Sequence, residues 1–136
     1  MAQGRLQSVQ PYVRSFLRIV AGFAFSLHGG QKILGLFGGM RGSGATAQFF
    51  SLPWVAGVLE LFGGILILVG LYTTLVAFLL SGQMAVAYFF FHFPKGFWPI
   101  QNGGELATLY CFVFLYLFAA GPGPISADYI VRKKYR

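Results

Sequence analysis

Glu60 stands alone among apolar residues between Pro53 and Tyr72. A charge at the centre of a membrane helix costs about 2.5–3.5 kcal/mol on insertion scales, so its presence there needs a reason. His28, Lys32, His92 and Glu105 also sit in or at the ends of apolar runs. Two imidazoles, two carboxylates and an ammonium together form a set suited to moving protons to and from a bound ligand. Two His and two Glu are also a donor set for Zn, Fe or Mn. Lys32 opposes a cation, however, and no pair of histidines has the i, i+4 spacing of a helical metal site, so no metal is expected. The single cysteine, Cys111, excludes an intrachain disulfide or a CxxC redox pair. It reads as a small buried hydrophobe.

The elements that carry these residues are long apolar runs. Of 136 residues, 57% are hydrophobic and 10% charged, against roughly 25% charged in soluble domains. So few charges could not cover the surface of a soluble chain, and lipid is the natural solvent for the excess. A spanning helix needs about 20 apolar residues. Four candidates span residues 12–37, 54–72, 73–93 and 105–120. The expected fold is an all-α integral membrane protein, a four-transmembrane-helix bundle forming one domain over residues 1–136. The first run begins after basic residues and contains Arg18, which reads as a retained membrane helix rather than a cleaved signal. Pro53 suits a helix start, Gly70–Thr73 a tight hairpin, and Gly121-Pro122-Gly123-Pro124 a stop. Residues 47–50 are expected to lie in the interface as a short helix.

Net charge is +7. The basic residues gather at the chain ends without aromatic interleaving, so membrane headgroups are the expected partner and nucleic acid is not. With an even number of helices both termini share one side. That side holds Arg5, Arg14, Arg18, Arg132, Lys133, Lys134 and Arg136, and the other holds Lys32, Arg41 and Lys95. The excess places both termini in the cytoplasm.

This topology brings the ionisable groups together. His28 and Lys32 fall at the outer end of helix 1, on a stripe shared with Arg14, Arg18 and Gln31 that spans roughly 140°. Glu60 lies about 9 Å below the outer end of helix 2, on a face with Gly57, Gly63 and Gly64 that permits close helix contact. His92 ends helix 3, on a face with Ser81, Ala85 and Tyr88. Glu105 starts helix 4, on a face with Thr108, Phe112 and Tyr116. All five converge on the outer half of the bundle. Each also has a structural reading: Glu105 favoured by its helix dipole, Lys32 and His92 reaching for water, His28 as a satisfied histidine of the bundle, and Lys32 paired with Glu60. At the inner end, Arg18 and Asp128 are expected to form an ion pair locking helix 1 to the C-terminal segment.

The ordered set Arg18, Gly22, Gly29 and Lys32; Glu60-Leu61-Phe62-Gly63-Gly64 with Gly70; Met84 and His92; Gly104-Glu105; and Gly121-Pro122-Gly123 with Ser126 and Asp128 resembles the DoxX family over nearly the whole chain. The resemblance implies a small four-helix protein of the bacterial cytoplasmic (inner) membrane. It also implies a link to quinones, because DoxX-like proteins include a quinone-reducing subunit of a thiosulfate:quinone oxidoreductase. Others are tied to quinone or catechol resistance, or to membrane oxidoreductase complexes of thiol stress. The expected function is therefore a quinone-linked redox subunit. Glu60, His92, Glu105, Lys32 and His28 would handle protons, and Tyr88, Phe91, Phe97 and Trp98 would line the ring slot. The chain shows no intrinsic redox cofactor, neither a Cys cluster nor a nucleotide fingerprint, so other membrane or membrane-associated subunits are expected to carry electrons. The alternative is a non-catalytic anchor or assembly subunit of a larger membrane complex.

Overall fold

The helix α1 runs from Ala2 to Leu34, longer at its start than residues 12–37. Pro11 sits inside it without stopping it. It ends at Gly35, whose φ of 68° is left-handed. This computed structural model describes residues 2–135, and side chains from residue 4 onward. Arg136 lies outside the described residues. The other helices are α2 (Leu52–Val69), α3 (Thr73–Lys95), α4 (Pro99–Asn102), α5 (Glu105–Ala120) and α6 (Ala127–Lys134). No strand occurs among the described residues. Ser51 caps α2 by accepting from Trp54 N at 3.3 Å. Residues 47–50 form a turn rather than an interfacial helix, with Phe50 at φ 60°. Phe49, Phe50 and Trp54 cluster there instead, edge to face or tilted.

Two helices, α2 with 18 residues and α3 with 23, are long and apolar enough to cross a membrane. α5 has the composition, but its 16 residues reach only about 24 Å. α1 has the length, but its polar stripe lowers its apolarity. The surface nonetheless reverses the pattern of a water-soluble domain. Phe16, Val20 and Phe23 on α1, Phe62 on α2, Phe78 on α3 and Phe112 on α5 are exposed, while Arg18, Glu60 and Ser81 are buried. An apolar exterior around a partly polar interior belongs in lipid.

The helices pack as two antiparallel pairs, α1 with α2 and α3 with α5. They meet over Phe25, Ile67, Ala77, Leu80, Phe114 and Leu117. Glycines set the first pair. A Cβ on Gly22 would lie 2.4 Å from Leu68 N, and one on Gly29 would lie 2.2 Å from Leu61 N. Small residues are what lets two backbones approach this closely.

Arg18 and Asp128 do not form the expected ion pair; each instead bonds backbone groups at the same junction. Arg18, 1% exposed, donates through Nη1 to the carbonyls of Ile67 and Leu68 at 2.5 Å each, through Nε to Pro122 at 3.0 Å and through Nη2 to Ile125. It thus satisfies carbonyls freed where α2 ends and those of the Gly-Pro loop. Asp128 accepts from Tyr72 N at 2.8 Å and Thr73 N at 2.9 Å, capping α3. The guanidinium fork meets backbone carbonyls, while the carboxylate meets the amides at the start of α3.

Candidate functional site

Two of the site residues lie in breaks of regular helix. α2 contains one π-helical turn, Leu59–Gly63, and α3 another, Tyr88–His92. The first carries Glu60 and the second His92. Such turns insert a residue and re-aim the side chains around it, often at functional sites.

Glu60 meets Lys32 at 2.6 Å, Nζ to Oε1. The Glu60 side chain is 4% exposed and that of Lys32 29%, so the pair runs from the interior toward the surface. Gln83 Nε2 donates to Glu60 Oε1 at 3.4 Å and to the Ala56 carbonyl at 3.2 Å. Gln83 is a site residue that the search for ionisable groups passes over. Its signal is a carboxamide in the middle of an apolar helix.

The pair borders two spaces. An inner cavity of about 290 Å³ is lined by His28, Lys32, Glu60, His92, Met84 and Tyr110, among others. A groove of about 530 Å³ lies between α2 and α3, walled by Leu59, Leu79, Val86 and Phe91, with Lys32, Glu60, Gln83 and His92 contributing its polar groups. Lys32, Glu60, Ala87 and His92 border both. His92 Nδ1 lies 3.2 Å from the Asn102 carbonyl. A carbonyl only accepts, so Nδ1 carries the proton and Nε2 of the neutral ring is an acceptor. Buried Asn102 in turn donates to the Gly96 carbonyl at 2.8 Å and accepts from Gly104 N at 2.7 Å. His28 packs edge-on to Tyr110, ring centres 6.3 Å apart.

Four of the five expected groups therefore share one place: His28, Lys32, Glu60 and His92. Glu105 does not join them. Its face of α5, with Phe112 and Tyr116, is exposed, and the buried face is Ala107, Phe114 and Leu117. Of the expected slot, Phe91 lines the groove. Tyr88 instead bonds the Phe97 carbonyl at 3.0 Å. Phe97 and Trp98 stand exposed, edge to face with each other. The turn at Phe93–Lys95 carries them away from the groove. Among the described residues, no group of three or more His, Cys, Asp and Glu is placed to hold a metal ion.

The model of the DoxX family matches residues 13–93, a stretch containing Lys32, Glu60, Gln83 and His92 but not Glu105 or Asp128. The chain is 47% identical over 127 residues to an uncharacterized protein of Haemophilus influenzae, covering 90% of this chain and 93% of that one. No solved structure matches the chain.

Proposed function

The chain belongs to the DoxX family, and we propose that it is a quinone-linked redox subunit of the bacterial cytoplasmic membrane, with its site where the groove meets Lys32, Glu60 and His92. One observation carries this reading: an apolar groove between α2 and α3 whose polar groups include Lys32, Glu60, Gln83 and His92. A lipid-soluble ring fits such walls. When bound, a quinone couple exchanges two electrons and two protons. Glu60 and His92 are placed to hold and pass the protons, Lys32 balances the Glu60 charge, and the inner cavity with His28 gives protons an exit. Electrons come from a partner subunit or a cofactor that such a partner holds.

In this reading residues 1–136 form one multi-pass domain. Helices α1, α2, α3 and α5 cross the bilayer, and both termini are cytoplasmic. The excess of basic residues beside the termini supports that orientation. Reporter fusions at either terminus should be active only in the cytoplasm. Activity on the outer side would reverse the orientation and the side to which the inner cavity leads.

The function is tested on the full chain purified in mild detergent. Organic extraction should recover quinone, oxidised plus reduced, at near one per chain. Glu60→Gln keeps the side-chain shape and removes the charge, and should retain at least tenfold less. The same variant with unchanged quinone content would remove Glu60 from the site. Recovery of stoichiometric protein partners without quinone, insensitive to Glu60→Gln, would make the chain an anchor subunit.

A further inference from the structure

The groove's inner wall carries hydrogen-bond acceptors without partners. Glu60 Oε1 receives both Lys32 Nζ and Gln83 Nε2, while Glu60 Oε2 has no partner. The two contacts of Gln83 Nε2 are both acceptors, the Ala56 carbonyl and Glu60. This fixes the amide orientation and leaves Gln83 Oε1 without a partner as well. His92 adds a third acceptor, Nε2, because its Nδ1 proton faces the Asn102 carbonyl. Glu60 is 3% exposed and borders both the groove and the inner cavity. A buried acceptor left unpaired keeps the full cost of its desolvation. Lys32, already bonded to Glu60, is partly exposed, so water can take up its remaining N–H groups.

We infer that the groove selects a ligand presenting O–H donors, and so seats the hydroquinone in preference to the quinone. A quinone offers two carbonyl oxygens, which only accept. Its reduced form has the same ring and two O–H groups that can meet Glu60 Oε2, Gln83 Oε1 or His92 Nε2. The inference rests on the quinone reading above and adds the redox state that the site favours. Tighter binding of the reduced form also raises the midpoint potential of the bound couple, by about 30 mV for each tenfold preference.

The test compares three probes on the purified full chain in detergent: decylbenzoquinone, its hydroquinone under anaerobic conditions, and the dimethyl ether of that hydroquinone. The ether keeps the ring and lacks the donors. The hydroquinone should bind at least tenfold tighter than either of the others. Gln83→Met, which removes one free acceptor, should reduce that preference. Equal binding of quinone and hydroquinone, or of hydroquinone and ether, would overturn the donor inference and leave the quinone reading standing. Failure of all three to bind would overturn both.

Discussion

Arg18→Lys should lower the melting temperature of the bundle in detergent by more than about 10 °C. The guanidinium reaches four carbonyls in two segments: Ile67 and Leu68 at the end of α2, and Pro122 and Ile125 in the loop between α5 and α6. A lysine keeps the charge but gathers its donors at one atom, and cannot span four carbonyls of two segments as the planar fork does. At least two charge-assisted hydrogen bonds are lost, at about 1.5–3 kcal/mol each. For a chain of this size each kcal/mol moves the midpoint by roughly 3–5 °C. Asp128→Asn is the comparison. It leaves one acceptor oxygen at the cap of α3, and a lost cap is worth about 1 kcal/mol. If the two groups were partners in one ion pair, both substitutions would cost alike. A melting temperature for Arg18→Lys equal to that of the parent would show that this carbonyl grip does not stabilise the fold.

The apolar periodicity and the polar stripe of α1 make the helices, their order and the meeting of Lys32 with Glu60 legible in the sequence. They are legible because a charge in an apolar run has few places to go. Glu105 misleads because it stands at the first turn of α5, where the dipole alone accounts for it, and only packing decides that its face turns outward. Arg18 and Asp128 mislead for another reason. Opposite charges at the same depth suggest a pair, yet each is satisfied by backbone groups that a linear sequence does not display. Tyr88, Phe97 and Trp98 depend on the turn after His92, whose direction no periodicity encodes. Gln83 was readable by the logic that picks out Glu60, once uncharged amides are weighed with charges.

The two π-helical turns are likewise absent from the pattern, since they keep the apolar composition and alter only the register. Their effect falls on the site. Glu60 is set into the interface with α1 and α3, and His92 is carried to a place bordering both the groove and the inner cavity. An unbroken helix would rotate the residues beyond each turn by about 100° per residue inserted. The distance between Lys32 and Glu60 thus depends on how α1 seats against the Leu59–Gly63 turn.

Gly29→Ala tests that seating, and should destabilise the bundle by about 1–2 kcal/mol. The added Cβ would lie 2.2 Å from Leu61 N, 2.6 Å from Leu61 Cα and 2.7 Å from the Gly57 carbonyl. These are backbone atoms of α2, those of Leu61 within the π turn, and cannot swing aside as a side-chain tip would, so the two helices must separate. Overpacking of this kind costs about 1–3 kcal/mol or more, and the better helix propensity of alanine returns at most about 1 kcal/mol. Lys32 lies nearly one turn further along α1, where a Cβ built on Gly57 would lie 2.9 Å from the Lys32 Cβ, so the separation carries through to the ion pair. Gly82→Ala supplies the control. It also sits inside a helix, but nothing lies within 4 Å of its would-be Cβ, and it should melt with the parent or slightly above. Gly29→Leu, with three more carbons at the same contact, should be recovered mainly as aggregate. The measurement is the melting temperature of each purified variant in one detergent. Gly29→Ala melting with Gly82→Ala would mean that α1 and α2 are not held together through this contact.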